Sequence, residues 1–116
     1  MRFQSSKQLY DAFYGHIKEG RDCIYLCHDH RHCEYMLQLM VAMFEPNSVS
    51  MTNRMIFYKK GRIKFRSTSE SPDHVLRGSR AFFVLDHAAI KKLNTVKQVE
   101  WKSQVNHNNE RILDHG

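Results

Sequence analysis

At 116 residues, 41% of them hydrophobic, the chain has the size of one domain with a modest core, and we read residues 1–116 as a single domain with a polar, frayed tail from about 106. No apolar run is long enough to cross a membrane, and the N-terminus turns polar too early for a secretory signal. Three cysteines make a disulfide framework unexpected and point to a reducing cytoplasm, while a net charge of +6 favours polyanionic partners.

In chain order, Ser5 and Ser6 can cap a helix from about Lys7 to Glu19, with Gly20 as its stop. Leu9, Phe13 and Ile17 give it one apolar face. CIYLC, Cys23 to Cys27, reads as a strand buried on both faces. A second helix follows from about Arg31 to Phe44. Its apolar face is Cys33, Met36, Leu37, Met40 and Phe44, and Pro46 ends it. Met55–Tyr58 and Arg62–Phe65, separated by Lys59-Lys60-Gly61, form a hairpin signal with Gly61 free to take positive φ. A Ser-rich loop with Pro72 leads to Arg77-Gly78 and then to an uncharged strand, Ala81 to Leu85, closed by Asp86. A short helix is expected over Ala88–Leu93. Val96, Val99 and Trp101 permit helix or strand from Asn94 to Val105, and helix is the preferred reading.

The stretch from Gly61 to Ile90, GRIKFRSTSESPDHVLRGSRAFFVLDHAAI, resembles the second half of the ATPase domain of phage terminase large subunits. Those packaging motors carry a basic strand, an acidic-serine loop, an Arg-Gly pair and an apolar strand ending in Asp-Glu-Ala. Arg77-Gly78 and VLDHA stand in those places here, and His87 occupies the position of the family's catalytic Glu. The helix–strand–helix order upstream extends the resemblance to roughly Ser5–Ile90. The glycine-rich phosphate loop that should open the first helix has only Ser5-Ser6-Lys7 as a counterpart. The resemblance implies a small three-layer α/β sandwich, a degenerate P-loop NTPase-like fold. Its central strands would be Cys23–Cys27 and Ala81–Leu85, with the β-hairpin at or near the sheet edge. The missing first strand would be made good by rearrangement or by a homodimer.

Three groups of residues could carry chemistry. Asp86 and His87 stand where the family holds magnesium and activates water. Without a phosphate cradle they read as relics, Asp86 capping a strand or helix, so we expect neither catalysis nor a cofactor. Cys23, Cys27, His28, His30, His32 and Cys33 have zinc-ligand types but not zinc-site spacing. No metal is expected, although His28 or His30 could share one with Asp86 at the carboxyl edge of the sheet. The third group is basic: Lys59, Lys60, Arg62, Lys64 and Arg66 on the hairpin, with Arg77 and Arg80 to be added. Alternation puts Arg62, Lys64 and Arg66 on one side, where they can track phosphates, while Phe57 and Phe65 read as core. The functional expectation is a non-enzymatic, phage-type binding protein acting on DNA or on a phage or host protein in the host cytoplasm. The alternatives are an inhibitor that mimics a P-loop motor, helicase or defence protein, and a metal- or nucleotide-dependent phosphohydrolase.

Overall fold

The computed structural model describes residues 2–3, 6–71, 75, 81–108 and 113–115. Its elements run β1 (Arg2–Phe3), α1 (Ser6–Ile17), β2 (Cys23–Cys27), α2 (His30–Phe44), β3 (Ser48–Ser50), β4 (Met55–Tyr58), β5 (Gly61–Ser67), β6 (Phe82–Asp86), α3 (His87–Lys91), α4 (Thr95–Asn108) and β7 (Leu113–His115). The sheet order is β1-β7-β6-β2-β5-β4-β3. Strands β6, β2 and β5 are parallel neighbours, and β4 and β3 continue the sheet antiparallel, so the five-stranded body is mixed. The short segments β7 and β1 extend it beyond β6.

Every side chain of β2 is buried, as its unbroken apolar run requires. Tyr25 and the cysteines face α1 and α2. There Leu9, Phe13 and Ile17 of α1 and the expected α2 stripe, Cys33, Met36, Leu37, Met40 and Phe44, close the larger core together with Ile63 and Phe65 of β5. Ile24 and Leu26 face the other way. They join Phe83, Leu85, Ile90 and Trp101 in a second cluster. Trp101 is fully buried, and its Nε1 donates to the Thr68 carbonyl at 3.1 Å, which fixes α4 on this face. Helices therefore flank the sheet on both faces.

The helix ends follow capping chemistry. Asp29 has extended backbone angles, and its carboxylate accepts from the His32 N–H at the start of α2. Glu45 turns the chain out of α2 with a left-handed φ of 48°, directly before Pro46. Gly20 closes α1 at φ 84°. Ser5 lies outside the described residues, and Ser6 is already the first residue of α1.

The hairpin lies near the sheet edge and not at it: β5 lies between β2 and β4, and β3 covers β4. Among the described residues the strands are hydrogen-bonded without a gap. The tail from 106 is not simply frayed, because α4 runs to Asn108 and Leu113–His115 pairs between β1 and β6.

At the turn the expectation is corrected. The positive φ falls on Lys59, at 53°, with its N–H held by Asn47 Oδ1 at 2.8 Å. Gly61 serves a different need. A Cβ there would lie 3.0 Å from the Ile17 Cα and 3.1 Å from the Arg21 carbonyl oxygen. The glycine lets the end of α1 sit directly on β5. Gly61→Ala should therefore destabilise the fold by about 1–3 kcal/mol through overpacking against backbone, read as a lower urea midpoint with unchanged slope.

Candidate nucleic-acid interface

The alternation of β5 sends Ile63 and Phe65 into the larger core and Arg62, Lys64 and Arg66 to the opposite face, as expected. Register extends this face across the sheet. Directly paired residues share a side, so Phe57 lies beside Arg62, and Met55 lies beside Lys64. On the other flank Lys64 adjoins Ile24 and Arg66 adjoins Leu26. These two apolar neighbours belong to the cluster roofed by Ile90 and Trp101. Among the described residues, the helices of this face cover β6 and β2. The face therefore passes from apolar and roofed to basic and open within one strand spacing.

The three cations are held differently. Arg62 pairs with Asp22 at 2.9 Å. Arg66 Nη1 donates to the Asn53 and Phe65 carbonyls at 2.8 and 3.1 Å. Lys64, between them, makes no hydrogen bond or ion pair among the described residues. Partial burial, and then the charges of Arg62 and Arg66, push the Lys64 ammonium below its ordinary range. Partial burial lowers Arg66 as well. Both side chains are half-buried rather than fully in solvent. Next to Arg62, an open hollow of about 360 Å³ is lined by Asp22, Phe57, Lys59, Lys60, Gly61 and Arg62.

The basic residues do not all converge. The Lys59 ammonium leaves this face and sits over the Tyr14 and Tyr58 rings, 5.3 and 5.6 Å from their centroids. Arg77 and Arg80 lie outside the described residues. Phe65 is core, but Phe57 is not: it is half-buried on the basic face. The alternation signal was already present in Met55–Tyr58, since Ile56 inward sets Phe57 outward.

A second cluster lies at the carboxyl ends of the parallel strands, where α/β sheets commonly hold ligands. Asp86 caps α3, its Oδ1 accepting from the Ala89 N–H at 3.1 Å. Its Oδ2 accepts from the Tyr25 hydroxyl and faces His32 Nε2 at 3.6 Å. Burial, reinforced by the Asp86 charge, raises the Tyr25 phenol far above its ordinary range and keeps it a donor. His32 Nδ1 accepts from the His28 backbone N–H at 3.3 Å, so its proton belongs on Nε2, toward Asp86. Both nitrogens of His32 are thus engaged. His28 Nε2 lies 3.1 Å from Lys92 Nζ and 3.3 Å from Asp29 Oδ2, and its Nδ1 has no hydrogen-bond partner among the described residues. An open cleft of about 460 Å³ above these groups is also lined by Arg31 and Tyr35.

The histidines and Asp86 are not gathered as a ligand set. Among the described residues no three His, Cys, Asp or Glu side chains are placed to share a metal. His30 is exposed on the first turn of α2, and His87 opens α3 with a side chain outside those described. Cys23, Cys27 and Cys33 are fully buried free thiols. Burial drives Cys23 and Cys27 far above the ordinary thiol range, so they pack as small apolar groups. Sequence reasoning named His32 only as one of a Cys/His group and missed Tyr25, Asp29 and Lys92, because only the fold brings them to Asp86 and His28. No protein-family model, curated protein or solved structure matches the chain.

Asp86→Ala should lower stability by about 2–4 kcal/mol, since it removes a cap and strands the buried Tyr25 hydroxyl. Chemical denaturation measures this; a loss below about 0.5 kcal/mol would show the cluster to be structurally idle. Asp29 supplies a pH test. The His32 N–H, followed by the charges of His28, His32 and Lys92, holds its carboxyl below the ordinary 3.8. The stability it adds is complete above that ordinary value and disappears as pH falls through the lower folded value. Asp29→Asn keeps the cap without the titration. The stability gap between native and variant should therefore shrink as pH is taken from about 6 to about 2.

Proposed function

We propose that the chain is a non-enzymatic nucleic-acid-binding protein that holds a DNA phosphate backbone on the open half of its sheet. The observation that carries this reading is the row Arg62, Lys64, Arg66 on a face that the described helices leave uncovered. Like charges at alternate positions of one strand repel, and the Lys64 ammonium is lowered first by partial burial and then by the charges of Arg62 and Arg66. A polyanion would relieve that repulsion. The overall charge of +6 acts in the same direction.

The non-enzymatic part rests on the carboxyl edge. Asp86 and His32, the groups best placed for acid–base work, spend their polar atoms on Tyr25, Ala89, the His28 backbone and each other. The terminase-type origin belongs to the same proposal, supported by an Asp closing a buried parallel strand and by Arg77-Gly78 upstream in the sequence. A phage or host protein is the competing partner, and nuclease treatment of a pull-down separates the two.

Binding to DNA should fall with salt at a log–log slope of roughly −2 to −3, as expected for about two to three phosphate contacts, Arg62 being partly neutralised by Asp22. Lys64→Gln should reduce the slope by about 1 while leaving the thermal midpoint unchanged or slightly raised. Lys91→Gln with Lys92→Gln, at the carboxyl ends of the parallel strands and off the β5 row, should do much less. Equal weakening by both variants, or no binding at low salt, would refute the assignment.

A further inference from the structure

On the strength of that reading, we propose that the ligand is single-stranded nucleic acid, with a base seated against Phe57 and the backbone running along β5. The geometry of the cationic row carries the inference. Arg62, Lys64 and Arg66 stand on an inner strand, with β4 and β3 on one side and the layer containing Ile90 and Trp101 on the other. Reading a duplex from its grooves needs a projecting element, a helix or a two-stranded ribbon, that can enter the major groove. Here the cations lie half-buried on the floor of a sheet and project little. A rigid duplex meets such a surface along a narrow line. A single strand is flexible enough to follow β5, whose cations are spaced about 6.6 Å apart at alternate residues.

The second observation is aromatic. Phe57 pairs across the strands with Arg62 and lines the hollow that also includes Lys60. An aromatic face beside a guanidinium, next to a phosphate track, is the combination that stacks unpaired bases without sequence preference. Bases inside a duplex are stacked on each other and cannot use it. Asp22 in the same hollow neutralises Arg62 and orients it at 2.9 Å, which leaves Lys64 and Arg66 as the main phosphate contacts.

The test is fluorescence anisotropy at low salt with a mixed-sequence DNA of about 16 nucleotides, single-stranded and as its blunt duplex. The single strand should bind at least about tenfold more tightly, and Phe57→Leu should weaken it by about 5- to 100-fold while hardly affecting the duplex. Equal or tighter duplex binding overturns this inference and leaves the nucleic-acid reading intact. Binding of neither form overturns both. A folded Phe57→Leu variant that binds the single strand as well as the native chain overturns the stacking role, and the inference with it. If circular dichroism shows that variant unfolded, the ratio of the two affinities for the native chain decides.

Discussion

The structure depends on the two-sided burial of β2. A strand with no polar side chain toward solvent needs a parallel neighbour on each edge and a helical layer on each face. Strands β5 and β6 supply the edges. Helices α1 and α2 supply one face, and α3 with Trp101 of α4 supplies the other. Most of the remaining placement follows from meeting that demand. The larger layer spans the whole width of the sheet body, because α1 and α2 together carry enough apolar surface to reach from β6 to β4. The second layer carries far less. It reaches only across β6 and β2, and β5 and β4 remain outside its cover among the described residues.

This unequal supply of apolar surface is written in the helices. α2 presents five buried side chains on one stripe. In α4, Val96 and Val99 stay exposed, and Trp101 alone is buried among the residues described there. A layer anchored by one large side chain and a single indole hydrogen bond covers a small area. The strand positions beyond it must then tolerate water, and β5 does so with Arg62, Lys64 and Arg66. Their placement is what the strand period predicts once Ile63 and Phe65 are committed to the opposite core.

Local pattern therefore carried much of the fold. The α2 stripe, the buried strands and the β5 alternation were legible because burial imposes a period of 3.6 or 2 residues on any sequence. Strand order was not legible in the same way. Nothing local to Gly61–Ser67 says whether it pairs at an edge or beside β2, and the hairpin was placed at or near the edge for that reason. The glycine was misread too. A glycine after two lysines looks like a turn residue, yet its missing Cβ is needed by α1, a partner 40 or more positions away in sequence. The Tyr25–Asp86 contact, 61 residues apart, is of the same kind. Asp86 as a capping residue could be read from the sequence; its donors could not.

The two polar regions of the molecule resolve their charges in opposite ways, and that contrast is the basis for locating function on the sheet face. At the carboxyl edge, the two carboxylates Asp86 and Asp29 have their partners close by. Asp86 meets Tyr25, Ala89 and His32, while Asp29 meets the His32 N–H and His28. Such a network rigidifies the ends of β2 and β6 and leaves Asp86 and His32 themselves little capacity for a ligand. On β5, by contrast, a lysine stands between two arginines with no ion pair among the described residues, and Asp22 is the carboxylate that acts on it. Partial burial there raises the free energy of the charged form. A fold gains nothing in stability from that arrangement, since an uncharged side chain of similar length would pack as well. The proposed function assigns the missing counter-charge to an anion that arrives from outside. The α/β rule that ligands gather at the carboxyl ends of strands describes a crevice, and here that position is largely spent on holding the sheet together. The open face of β5 and β4 is where unbalanced charge, an accessible aromatic ring and room for an extended chain coincide.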